Sequence, residues 1–431
     1  MAEPRRAHAG DIREILAGSP APAVPKVGIL GHSKVRQNHD YADMNIATVH
    51  GWMTWTRFLL GQRFDSGPEL NYGIGGEKSD EILKRIPAML RAHPDVRVWV
   101  VQAFTNDNAA RSPVPDWRRV APAIQAEFTT RGLALIWLTD DPRGDRDHPA
   151  PRLSGADLAR AFDIRRWQIE QRAIPGVYTV DTWELLADQL SETGDARPGR
   201  MWDGLHEVAL GAYEKGILLA RVLRHLFPPR FVLPASNGDA SLRSRNPYMG
   251  GTDGRPGGGN EGSLADGFLA FDLAATGTRL RYAKPEPTSG FLGSPYDDRV
   301  PKDGWQEFAL TGTATGAHEC VVMAQALRGQ ERGEILRAVG EIEIDRLAGV
   351  AHLGVVLFDD AGQRRLAADM DHSPLSHAFP GVGGVAGVCA SPPWVCDRLS
   401  PVSLRLVVKL LPGAQVDVAA RVRGFGAMRV G

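Results

Sequence analysis

Short apolar runs alternate with longer stretches of helical periodicity through the first half of this chain, and the alternation stops at Pro228-Pro229. Continuous β-branched or aromatic runs predict strands over 27–30, 69–72, 96–103, 133–139 and 177–180, and apolar positions at three- and four-residue spacing predict helices over 79–92, 117–131, 155–171 and 207–226. Alternation of this kind predicts a parallel sheet covered on both faces. Val98-Trp99-Val100-Val101 and Leu133-Ala134-Leu135-Ile136-Trp137 carry no polar position, as strands buried on both sides require. Functional residues of such a sheet collect at the carboxyl ends of its strands. Ser33 and Asn106 each follow a predicted strand end.

From Ser236 the texture changes. Gly, Pro, Ser, Thr and Asn dominate residues 237–267, and short alternating runs follow at 268–273, 280–282, 307–310, 341–344, 354–358, 403–411 and 416–422. Several short strands with Gly-rich turns predict an antiparallel β-sandwich. The chain therefore divides on paper into an N-terminal extension (1–25), an α/β domain (26–230), a linker (231–245) and an all-β domain (246–431). Gly257-Gly258-Gly259-Asn260-Glu261-Gly262 has the GxGxxG spacing but neither follows a strand nor opens a helix, so it reads as a loop and not a phosphate cradle.

Composition narrows the function classes. With 431 residues, 43% hydrophobic and 23% charged, the chain is long enough for two cores, and a net charge of −1 gives no field to attract nucleic acid or an anionic membrane. No apolar run approaches a membrane span, and residues 1–10 lack the apolar core of a secretory signal. The expectation is a protein that is cytoplasmic as synthesised, with release or association with a virion left open. Three cysteines are too few for a disulfide scaffold, and Cys389 and Cys396 read as ordinary thiols or one local bridge. His32, His39, Asp40 and Asp43 match no metal-ligand spacing, so no metal is expected.

Trp202-Asp203-Gly204-Leu205-His206 carries the first chemistry. Asp203 and His206 stand three residues apart at a loop-to-helix junction, where a carboxylate can fix the imidazole tautomer and stabilise the imidazolium. The candidate nucleophile for such a pair is Ser33, presented after the run Val27-Gly28-Ile29-Leu30-Gly31-His32. Oxyanion donors are available from two loops that follow strands, Asn71-Tyr72-Gly73-Ile74-Gly75-Gly76 and Phe104-Thr105-Asn106-Asp107.

In their order along the chain, the Ser33 block first, then the two loops and the Asp203/His206 block last, these four blocks resemble the SGNH (GDSL-like) esterase family over about residues 26–227. The resemblance implies a flavodoxin-like three-layer α/β/α fold. It also implies Ser33 as nucleophile, Gly76, Asn106 and the Ser33 N–H as oxyanion donors, His206 as base and Asp203 as its orienter, with no cofactor. The chain departs from the pattern at His32, where the family has Asp, and at Phe104, where it commonly has Gly. Both are assigned to the substrate pocket, with Phe104 limiting the acyl chain by its bulk. Residues 246–430 resemble, on one loose motif, β-sandwiches that follow SGNH domains in bacterial and prophage tail-associated proteins, jelly-roll-like and similar to carbohydrate-binding modules.

The expected activity is removal of acyl groups, acetyl foremost, from a bacterial polysaccharide or related glycan. The expected partner is that acylated glycan, with a homo-oligomer or a phage-tail-like assembly left open. The alternative is a non-catalytic glycan-binding, phage-tail or cell-surface structural protein on the same scaffold. Asp140-Asp141 reads as a charged loop, while Trp52, Trp55, Phe58, Tyr282 and Trp305 read more readily as core than as sugar-stacking platforms.

Overall fold

The computed structural model describes residues 24–39, 46–47, 51–108, 113–149, 151–230, 232–284, 304–359, 364–369, 384–396 and 401–430. The chain divides into two compact units, the first built from residues 1–39, 51–56 and 63–229 and the second from the remainder. Residues 46–47 and 57–62 thus group with the second unit although they lie within the stretch assigned on paper to the first.

The first strands in chain order are β1 (Val27–Gly31), β2 (Ile46–Ala47), β3 (Asn71–Gly73), β4 (Val98–Gln102), β5 (Ala134–Leu138) and β6 (Val177–Val180). All but β2 form one parallel sheet in the order β3-β1-β4-β5-β6. This is the doubly wound, flavodoxin-like order of a three-layer α/β/α unit. The chain leaves β1 toward one edge and returns to its other side at β4, so the crevice between the carboxyl ends of β1 and β4 is the topological switch point where such sheets bind ligands.

The helices are α1 (Ser33–Arg36), α2 (Trp52–Leu59), α3 (Ser79–Ala92), α4 (Thr105–Asn108), α5 (Trp117–Thr129), α6 (Gly155–Glu170), α7 (Thr182–Leu186) and α8 (Ala209–Leu226). One face of the sheet, with Leu30, Trp99, Val101, Leu135 and Trp137, packs with Ile82 and Ile86 of α3 and Val120, Ile124 and Phe128 of α5. Gly28 pairs in register with Trp99, and a Cβ on it would lie 2.2 Å from the indole ring, so only glycine lets this tryptophan cross the neighbouring strand. Helix α8 buries the stripe Ala212, Gly216, Leu219, Ala220 and Leu223, with Lys215 inside it. A Cβ on Gly216 would stand 2.7 Å from that of Trp55, so its absence permits close helix approach. Trp52, Trp55 and Phe58 are buried, which makes them packing residues and not an exposed sugar platform.

The second unit is an antiparallel β-sandwich. Its further strands are β7 (Glu261–Gly262), β8 (Thr278–Ala283), β9 (Gln306–Thr313), β10 (Glu319–Ala326), β11 (Ile335–Ala348), β12 (Val350–Asp359), β13 (Arg364–Asp369), β14 (Val385–Ala390), β15 (Trp394–Val395), β16 (Val402–Leu410) and β17 (Gln415–Arg429). One sheet runs β10-β16-β12-β13-β2 and the other β14-β11-β17-β9-β8-β7, with β15 also on β11. Residues 268–273 form no strand, and Glu261-Gly262, expected in a loop, pairs in parallel with β8. Trp305 and Tyr282 are buried, the tryptophan ring lying 4.4 Å from the guanidinium of Arg421 and 4.4 Å from that of Arg423. They belong to the interior and not to a stacking surface.

Candidate active site

Three loops meet at the carboxyl ends of β1 and β4. Ser33 opens α1 directly after β1, and a Cβ on Gly31 would lie 2.1 Å from the carbonyl oxygen of Gln102, so glycine lets the chain turn against β4 before the serine. The carbonyl of Gly31 accepts from the N–H of Ile74 at 3.0 Å, which lays the 74–76 loop alongside. A Cβ on Gly75 would stand 3.9 Å from that of Ser33, while Gly76 takes a left-handed φ of +81° with nothing within 4 Å of its missing Cβ. Asn106 sits in α4, its side-chain N–H donating to the carbonyl of Glu77 at 2.8 Å. Asp107 fastens this turn to α3 by accepting from the backbone N–H of Ser79 at 2.9 Å and from its hydroxyl at 2.5 Å. Burial pushes the Asp107 carboxyl up to about 6, although both hydrogen bonds from Ser79 pull it down.

Asp203 and His206 lie on a tight loop ahead of α8. One Asp203 oxygen accepts from the backbone N–H groups of Leu205 at 2.8 Å and His206 at 2.7 Å, and the other accepts from Nδ1 of His206 at 2.7 Å. With a carboxylate at Nδ1, that nitrogen carries the proton and Nε2 is left as the acceptor. Nε2 lies 2.9 Å from the Ser33 hydroxyl. Burial alone would raise the Asp203 carboxyl, yet its bonds to the His206 ring and to the two backbone donors outweigh it and hold the group at about 2. The Trp202 ring stacks on the imidazole at 5.8 Å with 19° between planes. Ser33, His206 and Asp203 are thus assembled as a hydroxyl–imidazole–carboxylate relay, with Asn106 and the Gly76 loop positioned by the neighbouring turns.

No protein-family model and no curated protein sequence matches the chain. Among solved structures it is similar to the lipase/acylhydrolase from Enterococcus faecalis, at 15% identity and a TM-score of 0.37 over 48% of this chain and 100% of that one. It is similar also to a GDSL-like lipase from Bacteroides thetaiotaomicron, at 14% identity and a TM-score of 0.34 over 51% of this chain and 96% of that one. A third is the Clostridium thermocellum family 3 carbohydrate esterase, at 19% identity and a TM-score of 0.33 over 47% of this chain and 99% of that one.

The two expected pocket residues are buried away from any pocket. Phe104 is 0% exposed and packs in the sheet's core beside Trp137, ring centroids 5.8 Å apart, because the residue after Ala103 still points between sheet and helices. A wholly buried ring lines no pocket, so it sets no acyl-chain limit. His32 is also 0% exposed. Its ring faces Asp140, with Nε2 3.8 Å from Oδ1, and burial, partly offset by this carboxylate, holds the imidazole below its usual range. His39, drawn above with a metal cluster, holds Ser66 and Asn71 through its two ring nitrogens at 2.9 and 3.0 Å, while Asp40 and Asp43 lie outside the described residues.

Asp140-Asp141 is not the solvated loop its sequence suggests. The two carboxylates follow β5 and are buried, one beside His32 and the other bonded to Lys34, so they meet the two residues that flank Ser33. Arg143 extends the support by donating to the carbonyl of Thr105 at 2.7 Å, next to Asn106. One sequence signal for this set was present: Lys215 interrupts the apolar stripe of α8, where a lysine requires a buried anion.

Proposed function

We propose that this chain is a serine ester hydrolase. The observation that carries the reading is the continuous relay from the Ser33 hydroxyl to His206 at 2.9 Å and from His206 to Asp203 at 2.7 Å. Nε2 takes the hydroxyl proton as Oγ attacks the ester carbonyl, and the imidazolium returns that proton to the leaving alcohol. The backbone N–H groups of Ser33 and Gly76 and the free N–H of the Asn106 amide stabilise the oxyanion. Asn106 uses one amide hydrogen on Glu77, which fixes its orientation and leaves the second to donate. Water, activated by His206, then cleaves the acyl-enzyme and releases the acid.

The substrate class we propose is an acylated glycan. The support is an SGNH-like unit followed in the same chain by a β-sandwich whose sequence resembles, on one loose motif, sandwiches similar in organisation to carbohydrate-binding modules. His32 and Phe104, the two departures from the family pattern, are the features that would favour the non-catalytic alternative, and both are buried inside the first unit while the relay stays intact. Fluorophosphonate labelling of the full chain, with a screen of aryl esters and acetylated glycans for acid release, tests the reading. Labelling and turnover that vanish in Ser33→Ala are expected. Labelling that persists in that variant, or no acid release from any ester, removes the reading.

A further inference from the structure

Beneath the Ser33–His206 contact lies a chain of four buried charges. Asp141 accepts from Lys34 at 2.9 Å and from Lys215 at 2.8 Å through one oxygen. Lys215 also donates to Glu207 at 2.5 Å and to Gln102 at 3.1 Å, so its three N–H groups have three acceptors. The Gln102 amide closes the knot by donating to Asp141 at 3.1 Å and to the carbonyl of Thr139 at 3.2 Å. Lys34, Asp141 and Lys215 are each 0% exposed and Glu207 is 4% exposed.

The connectivity gives this cluster its meaning. Lys34 is bonded in sequence to Ser33 and Glu207 to His206, so the run Lys34–Asp141–Lys215–Glu207 joins nucleophile to base by a second route behind the reacting atoms. It gathers the carboxyl ends of β1, β4 and β5, the buried face of α8 and the base-bearing loop. Two positive and two negative charges balance within it. A buried ion cluster seldom stabilises a fold more than apolar residues of the same volume would, but its directional bonds admit few alternative geometries. Beside a reacting pair, that is what holding a short distance requires.

We infer that Lys34, Asp141, Lys215 and Glu207 are positioning residues that hold the Ser33 and His206 loops in register for proton transfer. None of them touches the reacting atoms, and the inference rests on the esterase reading only for its kinetic test. Removing Lys215 alone leaves two buried carboxylates against one lysine and puts folding at risk. The informative variant is therefore the charge-balanced pair Lys215→Met with Glu207→Gln, which leaves Lys34 and Asp141 neutralised.

Two measurements on the full chain test it, both after thermal unfolding shows the pair variant folded. In the first, aryl-ester kinetics are compared with the unsubstituted chain. The expected result is a kcat lower by roughly 10- to 100-fold with KM changed by less than about threefold, since orientation is lost and binding is not. In the second, Ser33→Cys is introduced with and without the pair, and iodoacetamide alkylation at position 33 is followed by mass spectrometry at pH 6. A thiol held against an imidazole alkylates faster than a plain one, so Ser33→Cys should exceed Ser33→Cys with His206→Ala, and the pair substitution should abolish most of that excess. Unchanged kcat together with unchanged alkylation in the folded pair variant overturns the inference and leaves the esterase reading standing. No ester turnover by the unsubstituted chain, with the alkylation contrast intact, removes the esterase reading and supports the positioning role.

Discussion

The imidazole of His206 accepts from the hydroxyl of Ser33 at 2.9 Å across 173 residues of sequence, and its other nitrogen is already committed to Asp203 at 2.7 Å. A hydroxyl and a base joined this way act as one unit. Ser33→Ala and His206→Ala should each lower kcat/KM for an aryl ester by roughly 10^4-fold or more, and the double variant should lose little beyond either. Asp203→Ala should cost less, because an imidazole without its orienting carboxylate remains a base. Additive losses in the double variant would show that the two side chains serve separate steps.

Asp107 and Asp203 give the first unit opposite responses to acid. The Asp107 carboxyl is raised by burial to about 6 from 3.8, so its folded form binds a proton more tightly than its unfolded form. The stability this confers is complete below about pH 4 and is lost as pH rises through 6, an effect of at most about 3 kcal/mol. Asp203, held at about 2, contributes stability that is present above pH 4 and is lost as pH falls toward 2. Asp107→Asn, which keeps the shape and removes the titration, should flatten the difference in Tm between pH 4 and 6. An unchanged slope across that window would place the titration on another group.

Strand–helix alternation made the first unit legible. The runs at 27–30, 133–139 and 177–180 stand almost where the pattern puts them because strands in the middle layer leave few polar positions, and the helix at 79–92 does because Ile82, Ile86, Met89 and Leu90 recur at three- and four-residue spacing. The relay was legible because Asp203 and His206 are local and Ser33 follows a strand end. What was not legible depends on contacts across more than 70 residues. Asp140-Asp141 has the composition of a turn, and only the arrival of Lys34 and Lys215, 107 and 74 residues away, makes Asp141 an interior anion. Phe104 was misplaced for a similar reason, since its neighbourhood to Asn106 in sequence says nothing of which way the ring points. In the sandwich, β10 and β14 were missed because alternation was the pattern sought there, and Glu319–Ala326 and Val385–Ala390 are largely buried along their length and do not alternate.

Phe104 supports the core and not the specificity of the site. Its ring packs on Trp137 with no exposed surface, so Phe104→Ala should destabilise the first unit by about 3–5 kcal/mol, the range for a buried aromatic cut to a methyl. Phe104→Leu, a smaller loss of volume, should fold and leave the ratio of kcat/KM for acetyl and octanoyl esters within about twofold of the unsubstituted chain, far below the 1–3 kcal/mol of a true pocket contact. A clear shift toward longer acyl chains in Phe104→Leu would return the ring to the pocket.

Glu341 and Arg423 face each other in register on β11 and β17, the guanidinium donating to the carboxylate at 2.7 Å with both side chains 0% exposed. Two register positions along, on the same face, Arg421 donates to Glu343 at 2.8 Å, and Trp305 lies 4.4 Å from each arginine, so two ion pairs lie against one indole. Cutting one partner takes a full opposite charge from beside a wholly buried group, which costs far more than the pair contributes. Arg423→Met should therefore destabilise the second unit by about 3–5 kcal/mol, and adding Glu341→Gln should recover most of the loss although a second polar contact is removed. Chemical denaturation of the full chain, followed by Trp305 fluorescence against a Trp305→Phe control, reads this directly. If the double variant is less stable than Arg423→Met alone, the carboxylate is satisfied without the guanidinium and the pair does not govern the packing of β11 on β17.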